Sequence, residues 1–128
     1  MPLHIVRLGS PRSPDEGLRI GTVRRPPRGI PKERFAEDDW YDVWLPELAP
    51  SAELVKGALG AETDAEWRDF VRKYRKEMSA PAAARLLDLL AALSHRTNLA
   101  VGCYCEDEGR CHRSELRTLL EQLGAELA

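Results

Sequence analysis

The sequence predicts an α/β fold in which a small, mostly parallel sheet is flanked by helices, within a single compact domain that spans residues 1–128. Three observations lead to this prediction. Apolar runs of strand length occur both early and late in the chain, at residues 4–8 and 98–104. Between and after them, apolar residues recur at the steps of three and four that are typical of helices. The late run is apolar almost throughout, as expected for a strand buried on both faces of a parallel sheet.

Three strands and two loops are predicted in the first part of the chain. A strand at residues 4–8 is followed by a loop rich in proline and serine at residues 9–17. Residues 18–23 alternate between large apolar and other residues, which predicts a second strand. Residues 24–31 contain three prolines and a glycine, so an irregular but ordered loop is expected there. Residues 40–45 are rich in strand formers and are predicted to be a third strand.

Two helices are predicted in the middle of the chain. The first is short, begins near Pro50 and ends at Gly57 or Gly60. The second begins at a capping box, in which Thr63 and Glu66 satisfy each other's end of the helix start. The apolar stripe of this second helix consists of Trp67, Phe70, Val71, Tyr74 and Met78.

Two further helices are predicted on either side of the late strand. Pro81 lies near the start of the earlier one, whose wide apolar face consists of Leu86, Leu87, Leu89, Leu90 and Leu93. The later helix begins near Cys111 or His112 and ends at Gly124, a natural C-cap residue. The residues that this last helix is expected to bury are Leu116, Leu119, Leu120 and Leu123. The sheet is therefore expected to have a cysteine-bearing loop between its last buried strand and the C-terminal helix.

Composition narrows the classes of function. The 19 Lys and Arg residues nearly balance the 21 Asp and Glu residues, and the net charge of -2 predicts no extended nucleic-acid surface. No stretch approaches the roughly 20 apolar residues of a membrane helix. The N-terminus has no basic region followed by an apolar run, so no signal peptide is predicted. The three cysteines are odd in number and close together, which favours a metal site or reactive thiols in a reducing, cytoplasmic location.

Residues 103–113 contain the side chains that are best suited to catalysis or to binding an anion or a metal ion. The segment joins the predicted buried strand to the start of the final helix, which is where α/β proteins bind ligands. The positive end of a helix dipole favours an anion there and lowers the pKa of a nearby thiol. We predict Cys103, Cys111 and His112 as catalytic residues, with a thiol as nucleophile or redox group and the imidazole as acid or base. Arg113, like Arg110, would add charge-assisted bonds to an anion.

The same segment also offers a set of metal ligands. Cys103, Cys105, Cys111 and His112 together supply three sulfurs and one imidazole, a set that suits tetrahedral zinc or iron. Their spacing is not that of a standard zinc finger, and each cysteine is also of a type that often lies in an apolar core. The metal interpretation therefore stays open beside the thiol interpretation.

A second group of charged residues follows the second predicted strand. The cations of this basic loop, residues 24–32, are Arg24, Arg25, Arg28 and Lys32. A loop stiffened by proline can hold guanidinium groups in place around an anionic substrate. We predict Arg24 and Arg28, together with Arg113, as anion-binding residues. Asp42 is a candidate substrate-binding acid or base, and it is equally a candidate ion-pair partner for one of the arginines.

Four segments resemble, in the same order, the bacterial and archaeal family known as domain of unknown function number 488. These segments are Arg24-x-x-Pro27-Arg28-Gly29, residues 44–51, the helix with Phe70-x-x-x-Tyr74, and Cys103 followed by Cys111-His112-Arg113. The resemblance covers nearly the whole chain. It implies a small cytoplasmic α/β domain without an established activity.

The resemblance holds at some positions of these segments and fails at others. It extends to Cys103, Asp107, Cys111, His112 and Arg113, which match the cysteine-bearing members of that family. Cys105 stands where those members usually have Glu, so the resemblance makes the third thiol a feature of this chain. Val23 and Pro26 stand where many members have Asp and Trp.

Three functions follow as hypotheses. The first is a small enzyme that acts on an anionic or nucleotide-like substrate through the cysteines and the arginines. The second is a structural or sensing module that binds zinc or iron. The third is a nucleotide or nucleic-acid binding domain that uses the loop from Arg24 to Arg28. The first hypothesis requires the basic loop and the cysteines to face one pocket.

Overall fold

A four-stranded parallel sheet is the centre of the fold. The computed structural model describes residues 2–59, 63–105 and 111–128. The strands are β1 (Leu3–Arg7), β2 (Leu18–Gly21), β3 (Val43–Trp44) and β4 (Leu99–Cys103). They lie in the order β1-β4-β2-β3 and every pairing is parallel. The predicted α/β class is thus confirmed, and the late apolar run is an inner strand with all five residues buried.

Four helices follow the boundaries that the sequence predicts. They are α1 (Ala52–Leu59), α2 (Asp64–Met78), α3 (Pro81–Leu93) and α4 (His112–Gln122). At the start of α2 the hydroxyl of Thr63 accepts a hydrogen bond from the Glu66 amide at 3.1 Å. Beyond the end of α4, Gly124 adopts a φ of 85°, the left-handed conformation of a C-cap glycine. Gly57 lies within α1 and does not end it, and Gly60 lies outside the described residues.

The third strand is much shorter than predicted. Residues 40–42 are irregular and follow a run of turns at residues 35–39, in which Asp39 has a φ of 63°; the Trp40 amide donates to the Phe35 carbonyl. Pairing with β2 is limited to Val43 and Trp44, and a 3-10 turn starts at Pro46. The strand-forming side chains of Trp40 and Tyr41 therefore mark packing positions in an irregular segment, because tertiary contacts override strand propensity in short segments.

The helices pack against one face of the sheet. Ile20 of β2 and Val101 of β4 meet Phe70 and Tyr74 of α2 and Leu116 of α4 in the main apolar core. The hydroxyl of the fully buried Tyr74 donates to the Leu48 carbonyl at 2.7 Å, so its polar end is satisfied. Two leucines expected in this core are instead exposed, Leu89 at 53% and Leu123 at 46%. They lie at the margins of apolar stripes that are wider than the buried face of their helices.

The opposite face of the sheet is covered by loops that Arg19 holds together. Arg19 is fully buried, and its guanidinium bonds both carboxylate oxygens of Glu16 at 2.7 Å. The remaining amino group of the guanidinium, Nη1, donates to two carbonyls, those of Ser10 at 2.8 Å and of Asp39 at 2.7 Å. One side chain of β2 thus holds the loop after β1 and the turn before β3. Alternation along β2 puts Ile20 in the helical core and Arg19 on the loop side.

The C-terminal residues pair with Leu3 at the free edge of β1. The Leu3 amide donates to the Glu126 carbonyl at 2.7 Å, and the Ala128 amide donates to the Leu3 carbonyl at 2.9 Å. Leu127 forms a parallel bridge with Leu3. The backbone N–H and C=O groups of Leu3, which would otherwise face solvent at this edge, are therefore paired. Among the helices of the described ranges, none is long and apolar enough to cross a membrane.

Gly17 provides a test of how β2 is positioned. It has a φ of 77°, and a Cβ added there would lie 2.0 Å from the Asn98 carbonyl oxygen. Gly29 has a φ of 72° with nothing within 4 Å of such a Cβ. Both alanine variants pay the left-handed strain of about 1–2 kcal/mol. Gly17→Ala is expected to lose about 1–3 kcal/mol more, since backbone atoms must move apart. Urea unfolding of both variants measures the difference, and equal losses would contradict the close contact.

Candidate functional site

A cavity of about 1040 Å³ opens at the carboxyl ends of the strands. Because all four strands are parallel, these ends meet at one edge of the sheet. The loops that follow β1, β2 and β4 form one side of the cavity, and residues of α1 and α2 form the other. Its size is at the upper end of the range found for small-molecule sites.

The cavity brings together the two groups of residues that the sequence singles out. Its described lining includes Arg24 and Arg28 of the basic loop, and Arg25 between them. It also includes all members of what we call the cysteine cluster, which are Cys103, Cys105, Cys111 and His112. The two groups are more than 70 positions apart in the sequence. The enzyme hypothesis requires the basic loop and the cysteines to face one pocket, and both groups line this cavity.

The cysteine cluster places three free thiols near one imidazole. The sulfurs of Cys103 and Cys111 lie 2.7 Å apart, and both residues are buried. The Cys111 sulfur lies 3.6 Å from Nδ1 of His112. Cys105 is the exposed member of the three cysteines. Strand β4 carries Cys103 to the sheet edge, and the start of α4 carries Cys111 and His112 back to the same place.

The thiols share one favourable position for negative charge. Hydrogen bonds from Cys103 and Cys111 lower the pKa of Cys105, and the positive charge of Arg113 acts in the same direction. The same bonds to Cys105 and Cys111, together with burial, raise the pKa of Cys103. The cluster therefore holds its first thiolate at the exposed position and keeps Cys103 protonated as a donor.

His112 has one tautomer fixed by its surroundings. Its Nε2 lies 2.7 Å from the backbone carbonyl of Thr22, which can only accept a hydrogen bond. Nε2 therefore carries the proton and Nδ1 keeps its lone pair. The Thr22 hydroxyl, 3.3 Å from the same Nε2, donates to the Gly102 carbonyl at 2.9 Å. The segment after β2 thus orients the imidazole so that Nδ1 faces the sulfur of Cys111.

His112 is neutral at physiological pH. Burial lowers its pKa from 6.5 to about 4, and the hydrogen bond to Thr22 offsets only part of this effect. Tyr74 of α2 packs beside the imidazole, with ring centroids 5.6 Å apart. A neutral, oriented imidazole with a free Nδ1 can accept a proton or bind a metal ion.

The basic loop is anchored at its first residue and open at the later ones. Arg24 donates to the carbonyls of Ala49 and Pro50, both at 3.1 Å, so its guanidinium is partly used in holding the loop. The indole of Trp44 donates to the Val23 carbonyl at 2.7 Å and fixes the loop from the other side. Arg25 and Arg28 are exposed, and no described residue forms a hydrogen bond or ion pair with either guanidinium. They are the cations free to meet a ligand.

Two residues predicted to bind a substrate or an anion are placed elsewhere. Asp42 does not line the cavity; it accepts two hydrogen bonds from Arg12, at 2.8 and 3.1 Å, and one from the Arg19 amide. Arg113 is buried and donates to the backbone carbonyl of Cys105, so it holds the backbone that carries this cysteine. It is not among the described residues that line the cavity. Arg110 and Asp107 lie outside the described residues.

Sequence reasoning missed several residues of the cavity. Arg7 and Lys56 add positive charge from β1 and α1, and no described residue of the lining is acidic. The aromatic members of the lining are Trp40, Trp67, Phe70 and Tyr104. Thr22, which orients His112, was also missed. The one signal for Arg7 is its position at the carboxyl end of a parallel strand, since these ends meet at one edge of the sheet. The sequence patterns assign the aromatic residues to the core or to a strand.

One protein-family profile matches nearly the whole chain. The family profile described as the active DUF488-N3 subclade, DUF488-N3a, matches residues 3–124. No curated protein and no solved structure gave a match to the chain. The profile spans the basic loop, the whole sheet and the described part of the cysteine segment. The chain therefore belongs to the DUF488 family, within the subclade described as active DUF488-N3.

Proposed function

We propose that the protein is a small enzyme that binds an anionic, nucleotide-like molecule in the cavity and presents it to the cysteine cluster. The observation that carries the proposal is that one cavity is lined by both the basic loop and the cluster. Cations on one side and thiols on the other suit a substrate that is held by its charge and reacts at a neighbouring atom.

The charge of the lining supports an anion as ligand. Its described cations are Arg7, Arg24, Arg25, Arg28 and Lys56, and its described residues include no carboxylate. The whole chain has a net charge of -2, so this concentration of positive charge is local. Planar guanidinium groups such as those of Arg25 and Arg28 bind phosphate or carboxylate through paired hydrogen bonds. We infer that these two residues make the first contacts with the anion.

The aromatic residues support a ligand that carries a flat ring. Trp40 and Tyr104 meet edge to face, with centroids 5.8 Å apart, and Trp67 stacks on Phe70 at 4.8 Å. All four line the cavity. Aromatic side chains bind bases by stacking, which makes a nucleotide-like anion the best match to the lining. The concave shape favours a small molecule over an extended nucleic acid.

The cysteine cluster supplies the chemistry in this proposal. Cys105 is exposed at the cavity and is the site of the first thiolate, so it is the nucleophile that a bound ligand meets. Cys111 keeps its proton, and its sulfur lies 3.6 Å from Nδ1 of the neutral His112. Cys103 donates to the thiolate. Such chemistry needs reduced thiols, and a cytoplasmic location remains our prediction.

Phosphate protection of the thiolate tests the proposal. The rate at which iodoacetamide alkylates Cys105 is measured with and without inorganic phosphate, and the modified residue is identified by mass spectrometry. Bound phosphate is expected to slow alkylation in a saturable way, and Arg28→Ala is expected to weaken this protection at least about tenfold. One charge-assisted hydrogen bond is worth about 1.5–3 kcal/mol, which corresponds to such a loss.

Matched controls make the result specific. Arg96→Ala removes the same charge at an exposed position outside the cavity and is expected to leave protection unchanged. Sodium chloride at equal ionic strength accounts for screening. A nucleoside monophosphate is expected to protect at lower concentration than phosphate because it adds stacking. Protection absent from the wild-type protein, or equal in Arg28→Ala, contradicts the proposed function.

A further inference from the structure

We propose that Cys103, Cys111 and His112 bind a single divalent transition metal of the zinc class at the floor of the cavity, with Cys105 as an exchangeable fourth ligand. The ligand atoms of the three buried residues all lie within 4.8 Å of one another. Two sulfurs and one imidazole nitrogen are the donor types that zinc prefers. The metal site does not depend on the proposed function; with the ion bound, Cys103 and Cys111 act as thiolate ligands instead of hydrogen-bond donors, and Nδ1 of His112 is a ligand atom.

The distances fit one tetrahedral ion with a small adjustment. Zinc bonds of about 2.3 Å to sulfur and about 2.0 Å to nitrogen imply ligand atoms roughly 3.5–3.8 Å apart. The 3.6 Å between the Cys111 sulfur and Nδ1 of His112 meets this requirement. The 2.7 Å between the sulfurs of Cys103 and Cys111 is shorter. The ion therefore requires these two sulfurs to separate by about 1 Å, which a small side-chain rotation supplies.

The hydrogen bond on the far side of the imidazole is an independent indication. Histidines that bind metals usually donate their other ring N–H to a carbonyl or carboxylate, which fixes the tautomer and the ring orientation. Here Nε2 donates to the Thr22 carbonyl at 2.7 Å, and Nδ1 points at the cysteine sulfurs with its lone pair free. This tautomer leaves at Nδ1 the lone pair that a metal ion needs, on the side of the ring that faces the sulfurs.

The difference in exposure among the ligands indicates how the site would work. Cys103, Cys111 and His112 are buried, whereas Cys105 is exposed and lines the cavity. The first three are thus permanent ligands, and Cys105 holds the position that faces a ligand. Three fixed protein ligands and one exchangeable position are the arrangement of catalytic zinc sites, whereas structural sites are closed. Release of Cys105 would open the ion to an anion held by Arg25 and Arg28, a step that rests on the proposed function.

Cobalt binding tests the site through its spectrum. The full chain is purified under reducing conditions without added metal, its metal content is measured, and the metal-free protein is titrated with Co²⁺. We expect one equivalent to bind, with the visible bands of tetrahedral cobalt and a near-ultraviolet thiolate charge-transfer band. Cys103→Ser and His112→Gln are expected to weaken binding at least about tenfold, and Cys105→Ser to keep the ion with a weaker charge-transfer band.

Controls separate the metal site from its alternatives. His95→Gln removes an exposed imidazole outside the cavity and is expected to leave the spectrum unchanged. The wild-type spectrum alone decides the case if a ligand variant fails to fold. No tetrahedral cobalt signal in reduced wild-type protein, an unchanged signal in both Cys103→Ser and His112→Gln, or a Cys103–Cys111 disulfide under reducing conditions overturns the proposal. Phosphate binding measured on the same preparation shows whether the anion pocket fails with it or stands alone.

Discussion

Glu16→Gln is expected to destabilise the fold by about 3–5 kcal/mol, because it leaves the charge of Arg19 buried without a counterion. Arg19 is fully buried and Glu16 is 3% exposed, and two bonds of 2.7 Å join them. The variant keeps the size of the side chain and removes only its charge. Urea unfolding gives the change in free energy, and a loss of this size is a large fraction of the stability of a small domain.

Two comparison variants identify the cause of that loss. Replacing both partners together, as Glu16→Leu with Arg19→Met, removes the buried charges as a pair and is expected to recover part of the stability. The recovery is incomplete because the carbonyls of Ser10 and Asp39 also lose their donor. Asp69→Asn breaks an exposed ion pair with Arg72 and is expected to leave the unfolding midpoint unchanged. A double variant less stable than Glu16→Gln contradicts the argument.

Acid is expected to destabilise the metal-free protein through His112. Its pKa is about 4 in the folded chain and 6.5 as the ordinary value, so the unfolded chain binds the proton first as pH falls. Stability from this group is complete above pH 6.5 and is lost between pH 6.5 and pH 4. Since one pH unit corresponds to about 1.4 kcal/mol, the loss between pH 7 and pH 4 is about 3 kcal/mol.

The contribution of His112 is separated from that of the carboxylates by His112→Gln. Glutamine can still donate to the Thr22 carbonyl but does not titrate, so the variant keeps the acid sensitivity of all other groups. Free energies of unfolding are measured from pH 7 to pH 4 in the presence of a chelator. The wild-type loss is expected to exceed that of the variant by about 3 kcal/mol. Parallel curves for the two proteins would show that His112 is not buried in its neutral form.

Regular elements with strong patterns were predictable from the sequence. The capping box at Thr63 and the stripe along α2, like the continuous apolar run of β4, depend on local spacing alone. The strand predicted at residues 40–45 is limited to Val43 and Trp44, because Trp40 and Tyr41 lie in the irregular segment before it and strand propensity does not distinguish the two cases. Leu89 and Leu123 were predicted to be buried because the sequence cannot show how wide a face the neighbouring elements leave covered.

The candidate site was predictable in its parts and not in its arrangement. The sequence placed the cysteines between a buried strand and a helix and placed the arginines after β2, and parallel pairing brings both to one sheet edge. It did not show that Asp42 pairs with Arg12, that Arg19 is buried, or that Thr22 orients His112. The first and last of these contacts join residues that lie 30 and 90 positions apart, and the burial of Arg19 depends on the path of the loops that supply the carbonyls of Ser10 and Asp39. No periodicity records such a contact.

The attachment of each cavity loop to its own strand has an evolutionary consequence. The loops after β1, β2 and β4 contribute separate parts of the lining, while most of the main apolar core and the buried pair of Glu16 and Arg19 lie outside it. A substitution or an insertion in one of these loops alters one wall and leaves the scaffold and the other walls in register. Descendants of such a chain can therefore change the charge and shape of this wall by changing the basic loop alone, and keep the cysteine cluster unchanged.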